Sequence, residues 1–308
     1  MDFHSSDPEG SNFPLVDALD HEILMHRDAH FGGLFSVMLD YYRGEGKGIQ
    51  EAFSIQRIER LADLEKELKE NLAPLYLTGP EAEQIADAKK AYKQLREIYD
   101  VKNPKNKHPK LIADLVLSEQ EEPIAEMEAI LAEKEAILPA LLDLVQNEQF
   151  SLSLFPGYGL APGLAIECLG RLKDKRALIP LFEALGEGDF FGDEQILKAL
   201  KKIGDPAQQF LLKILVGKPL NEDNEKAAIA LIEFSENPEV ASAALAFLQQ
   251  KEVQQNPSLF VYTALLCTHL KDPAQRQVFK ELAATPHIPK IAQNDMKAVI
   301  RGWIPNAL

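Results

Sequence analysis

Cysteine is almost missing from this chain: Cys168 and Cys267 are two residues in 308, each inside an apolar helical run. A disulfide framework of the kind that staples small secreted domains is excluded, and two buried thiols fit a reducing, cytoplasmic setting. Positive charge is scarce as well. Lys and Arg number 33 against 48 Asp and Glu, a formal net charge of -15, which opposes the counterion release behind most nucleic-acid binding. The densest basic stretch, KNPKNKHPK at Lys102–Lys110, is broken by two prolines and reads as a solvated linker. Long apolar runs are missing too. The most apolar segment, Leu259–Leu266, is far shorter than the roughly 20 residues of a membrane span. The opening MDFHSSDPEGSNFP has neither a basic start nor an apolar core, so no secretory signal is expected and residues 1–14 read as a disordered tail. Nucleic acid and membrane are therefore set aside as partners.

What the chain does have is punctuation. LKDKRA at Leu172, IGDPAQ at Ile203 and LKDPAQ at Leu270 share one device, and FSENPEV at Phe234 carries it with one residue inserted. The polar residues Asp174, Asp205, Asn237 and Asp272 are separated by 31, 32 and 35 residues, which is the spacing of a repeat. An Asp or Asn at a helix start gives an oxygen to an N–H that has no intrahelical partner, and a proline next to it loses nothing there. Each echo predicts a tight corner between two antiparallel helices. Apolar residues at helical spacing fill the intervals: Ile179, Phe182 and Leu185, then Ile196, Leu197, Leu200 and Ile203, then Phe210, Leu211, Ile214 and Leu215. KEAILPALLDLV at Lys134–Val145 matches KRALIPLFEALG at Lys175–Gly186 at an offset of 41, and the excess maps onto FSLSLFPGYGLAP at Phe150–Pro162, read as a loop inserted between repeats.

The expected fold is all-α: an α-solenoid of helix pairs over 111–308, preceded by a linker at 102–110 and an N-terminal helical region at 15–101. ECLGRLKDKRALIPLFEAL and ILKALKKIGDPAQQFLLKIL resemble the short HEAT-like repeats of phycobilisome-lyase-type proteins over about residues 123 to 301. The resemblance implies a curved stack with a concave binding surface. Metal-dependent hydroxylases with similar repeats carry His-Glu dipeptides on successive repeats, whereas here His21-Glu22 stands outside the array. In the N-terminal region, Leu34, Val37, Met38 and Tyr41 predict one helix. Ile55 through Leu75 and Ile85 through Tyr99 predict a long helical hairpin broken at Thr78.

The candidate chemistry is confined to a few places. DHEILMHRDAHFGG places Glu22, His26 and His30 at i, i+4 and i+8, one side of a helix and a workable metal-ligand set; the bland reading is a polar interface. FPGYG lacks the GxxxxGK[ST] spacing of a phosphate loop. Aromatic residues on the inter-repeat loops, Phe155, Tyr158, Phe190 and Phe191, are candidate partner anchors. Cys168 and Cys267 have no facing histidine, so no catalytic dyad is expected. Trp303 is expected to seal the last helix. The function expected is a protein-protein interaction scaffold or adaptor, not an enzyme. It would bind a partner protein with a basic surface on the concave solenoid face, with no cofactor. The alternative is a metalloprotein or enzyme centred on the His cluster, with the solenoid as recognition arm.

Overall fold

The computed structural model describes residues 16–44, 46, 50–102, 105–187, 190–286 and 288–303, without the side chains of Phe190 and Phe191. The tail expected at 1–14 lies outside the described residues, which are all-helical with no strand among them. The chain forms two compact units. One is Met1–Pro123 with Glu148–Ala161, and the other is Ile124–Asn147 with Pro162–Leu308. The boundary expected near 110 therefore lies later, and the stretch read as an inter-repeat insertion belongs to the first unit.

The first unit holds α1 (Ala18–His30), α2 (Phe35–Arg43), α3 (Ile55–Leu68), the short α4 (Ala73–Tyr76), α5 (Gly79–Asp100) and α6 (His108–Leu117). α1 starts in a capping box, Asp17 accepting from the Asp20 N–H and Asp20 from the Asp17 N–H. Two ionic clasps tie α1 to the α3 side. Asp20, 1% exposed, pairs with Arg57 and Arg60. Arg27, fully buried, donates to Glu65 at 2.5 Å and to Asn71 at 2.8 Å, with its guanidinium 4.6 Å over the Phe35 ring. These bonds offset the large desolvation cost of a buried guanidinium. Ile23, Leu24, Met38, Ile58, Leu61 and Leu72 close the core around the clasps.

Three expectations for this unit need correction. The buried face of α2 is Phe35, Met38 and Tyr42, while Leu34 and Val37 are exposed. The helix expected from Ile55 to Leu75 ends at Leu68, where Lys69 turns left-handed (φ 57°) and Glu65 accepts the Leu72 N–H at 3.1 Å. Finally, the hairpin partners separate: α3 packs on α2 and α1, whereas α5 packs on α1 and α6. α5 does begin where the TGP break places it, in a Thr78–Glu81 capping box. α6 starts at His108, inside the expected linker.

Taken two by two in chain order, the helices of the second unit are α7 (Ile124–Leu131) and α8 (Leu138–Gln146), α9 (Ala161–Leu172) and α10 (Leu178–Ala184), and α11 (Phe190–Ile203) and α12 (Asp205–Leu215). Next come α13 (Glu222–Leu231) with α14 (Pro238–Leu248), the short α15 (Lys251–Gln254), α16 (Pro257–Leu265) with α17 (Pro273–Ala283), and the closing α18 (Lys290–Gly302). Three of the expected corner caps are present. Asp174 accepts from Arg176 N–H, Asn237 from Glu239 N–H and Asp272 from Ala274 N–H. The fourth is displaced by one residue: Gly204, at φ +84°, is the N-cap of α12, and Asp205 is its first residue. Glycine takes this left-handed turn without strain, so Asp205 acts through its charge at the helix start. In α10 the buried face is Leu178, Leu181 and Phe182, and Ile179 is exposed.

Candidate functional site

α1 presents two faces. Ile23, Leu24 and Arg27 point into the core just described, and His26 and His30, one turn apart, meet an aromatic cluster. The His26 and His30 rings stack at 5.1 Å and 27°. Tyr158 stacks on His30 at 5.0 Å and lies 8° from parallel with His26 at 6.3 Å. Tyr92 of α5 stands edge-on to His30 at 5.2 Å, and Phe53 edge-on to His26 at 4.9 Å. The Tyr92 hydroxyl donates to Glu119 Oε1 at 2.9 Å.

Tyr158 reaches the stack through a strained turn. Gly157, Tyr158 and Gly159 are all left-handed, at φ +85°, +52° and +83°. A Cβ at Gly157 would stand 3.2 Å from the Val116 carbonyl oxygen, and one at Gly159 3.0 Å from that of Ser151. Both glycines are thus required by conformation and by space, while Tyr158 bears a conformational cost of roughly 1–2 kcal/mol. Glu119, also at the cluster, is left-handed at φ 52°. The FPGYG motif is explained by this turn: its glycines aim a tyrosine.

Burial governs the electrostatics. It pushes His26 down to about 3, with the neighbouring His30 adding to the effect. It pushes His30 down to about 4, against an opposing hydrogen bond to the Leu154 backbone. His30 Nε2 is buried and has no hydrogen-bond partner among the described residues. Burial also raises the Tyr92 and Tyr158 phenols, with Glu119 adding to both. At neutral pH the stack is two neutral imidazoles against two neutral phenols. A general base works best with a pKa near the working pH, and neither imidazole has one.

Of the sequence-predicted site residues, His26, His30 and Tyr158 come together in the stack. Glu22 is exposed on α1, and among the described residues no group of three His, Cys, Asp or Glu side chains could hold a metal ion. His21 pairs instead with Glu81 at 3.2 Å. Phe155, expected as a partner anchor, is 2% exposed and packs with Ile85, Ala88 and Leu154; the apolar residues before the turn fold inward to anchor it. Tyr158 is partly buried in the stack. Phe190 and Phe191 open α11, and their side chains lie outside the described residues. Burial raises both Cys168 and Cys267 to about 12, so neither is a thiolate near neutral pH.

In the second unit several contacts join helices that are two apart in the chain, the short α15 not counted. First helices meet first helices: Arg171 of α9 pairs with Glu128 of α7, and Lys202 of α11 with Glu167 of α9 at 2.6 Å. α13 packs on α16, and α16 on α18. Second helices meet second helices: Phe182 of α10 stands edge-on to Phe210 of α12 at 5.8 Å, while α12 packs on α14 and α14 on α17. Gln208, 4% exposed, links successive corners by accepting from Asn237 Nδ2 and donating to Glu239. Asn224 donates to the carbonyls of Ile214, Leu215 and Gly217, closing the end of α12. Asn224 also accepts the Asn221 N–H in a local capping box at the start of α13, but no local pattern marks its bonds back to α12 or those of Gln208, whose partners lie 29 and 31 residues away. Trp303 covers the last pair, its Nε1 donating to the Cys267 carbonyl at 3.1 Å and its ring edge-on to Phe279. Between the first two pairs lies a cleft of about 470 Å³, where Glu128, Glu135 and Asp174 outnumber Lys134 and Arg171. No protein-family model, no curated protein and no solved structure matches the chain.

Proposed function

We propose that the protein is a protein-protein interaction scaffold or adaptor of the cytoplasm, its second unit a HEAT-like α-solenoid that binds a partner with a basic surface along the concave side. The observation that supports this reading is that, beside contacts of second helices with the first helices that follow them (α10 on α11, α12 on α13, α14 on α16), first helices also touch first (α13 on α16) and second touch second (α12 on α14, α14 on α17), with capped corners at Asp174, Asn237 and Asp272. Such packing is what a nearest-neighbour repeat array requires. The choice of a basic partner rests on the net charge of -15 and on the acidic excess in the cleft between the first two pairs.

Chemical cross-linking of the purified protein with its co-purifying partner, read by mass spectrometry at several salt concentrations, tests it. The expected result is a set of links confined to one row of helices in the second unit, first or second, with affinity falling as salt rises. Links scattered over both rows would contradict the reading. So would a purified protein that has no stable protein partner and turns over a small molecule.

A further inference from the structure

The stack of His26, His30 and Tyr158 does more than fill space, because it is how one segment of chain is held. Glu148–Ala161 enters the first unit between two stretches of the second. Local side-chain ties anchor it there. Leu154 and Phe155 pack on Ile85 and Ala88, the Leu154 backbone bonds the His30 ring, and the Tyr158 ring lies on the imidazoles. Ser151, Leu152 and Ser153 just before them are exposed. Tyr158 is the residue of the turn that is strained by a left-handed backbone (φ 52°), so leaving the site relaxes that strain. The opposite face of α1 is held independently by Ile23, Leu24 and the Arg27 and Asp20 clasps.

We propose that Glu148–Ala161 is an acid-released latch: protonating His26 and His30 expels the Tyr158 ring from the imidazole stack and frees the segment, while α1, α2 and α3 stay folded together.

Burial makes a cation there unwelcome despite the ring faces: His26 is 3% exposed, and protonation would give the buried His30 Nε2 an N–H with no acceptor among the described residues. α5 contributes Tyr92, with the Arg96 guanidinium 5.8 Å from its ring. α2 contributes Tyr41 and Tyr42, the latter stacked on Phe53, which itself touches His26. Glu119, two residues past the end of α6, is held by the Tyr92 hydroxyl. The latch itself contributes Tyr158. Two stacked imidazoles 5.1 Å apart also repel once both are charged. The sign follows from the depressed values of about 3 and about 4. Below roughly 6.5, the open segment leaves imidazoles that take up protons which the closed form refuses, so opening rises about tenfold per pH unit for each histidine. The closed form is fully favoured above that pH, and the loss continues down to about 4 for His30 and about 3 for His26.

Hydrogen exchange of the full chain from pH 7.5 to 5.0, corrected for the intrinsic pH dependence of amide exchange, tests the latch. Between these limits the opening constant of 148–161 should rise by about 30-fold if one imidazole is uncovered and about 1000-fold if both are. Amides of α3 around Ile58 and Leu61 should keep their protection. His26→Phe with His30→Phe keeps rings in the stack and should flatten the profile; Tyr158→Ala should leave the segment open already at pH 7.5. Protection of 148–161 that does not change with pH would overturn the proposal, as would the same pH response in the double variant or an equal loss in α3. Should the double variant lose its helical signal, isotope-labelled histidine in the unaltered chain decides: His26 and His30 stay neutral at pH 5.5 wherever the segment is protected. Protonated rings beneath a protected segment would sink the proposal.

Discussion

Leu200 is fully buried in α11, and truncating it to alanine removes packed methyl groups from a site that cannot refill. Leu200→Ala should cost about 2–5 kcal/mol in chemical denaturation. The caps separate by type. Asp272→Ala removes a side-chain acceptor from the Ala274 N–H and should cost about 1 kcal/mol. Asp205→Ala removes only a charge at the first helical position of α12, so its cost should be smaller, a few tenths to about 1 kcal/mol and diminished by salt. Equal costs for the two would contradict the placement of the N-cap at Gly204. The caps were legible in the sequence because a cap is a local event, settled within three residues. The displacement at Asp205 was not, since the left-handed turn at Gly204 and the Asp-Pro pair leave two registers open. The stacking of Tyr158 on His30 was beyond sequence reasoning altogether: the two residues are far apart in the chain, and the glycines around Tyr158 resemble those of any loop.

Among the elements, the backbone of α11 comes close to α9 at Gly170. A Cβ on Gly170 would stand 2.8 Å from the Cα of Ala199, and backbone cannot yield as a side-chain tip can. Helix propensity alone favours alanine over glycine by roughly 0.5–1 kcal/mol. We expect the reverse sign here: Gly170→Ala should destabilise, by about 1–3 kcal/mol, because the two helices must separate. A stabilised variant in thermal or denaturant unfolding would show that the contact does not limit the approach. Helix existence was readable from apolar spacing, but helix faces were less so. Leu34, Val37 and Ile179 fit an apolar stripe and are exposed, because apolar residues on both sides of a short helix give the period two solutions. The end of α3 at Leu68 was hidden for a related reason. The leucine spacing runs on through Leu72 and Leu75, while the break is imposed by Glu65 capturing the Leu72 N–H and by Arg27 holding Asn71.

For the molecule as a whole, charge and repetition are the two properties visible from the sequence that bear on function. In the proposed scaffold an excess of acid would favour a basic partner and speed its arrival, and a repeat array could be lengthened or shortened without redesigning a central core. The division into units was only partly legible. The echoes at Asp174, Asp205, Asn237 and Asp272 mark helix starts in the second unit, whereas the return of 148–161 to the first unit depends on Phe155 and Leu154 finding Ile85 and Ala88, partners no periodicity announces. The most direct test of the central claim is to excise one repeat length, α12 and α13, joining Asp205 to Pro238 so that IGDP is restored at the seam and α11 runs into α14, and to measure the unfolding of the shortened chain. A stack of equivalent pairs predicts an unchanged helical signal per residue, cooperative unfolding, and a denaturant slope lower by roughly a tenth, in proportion to the chain removed. Loss of cooperative unfolding, with the remaining helices melting gradually, would show that the pairs share a single core and that the account is wrong.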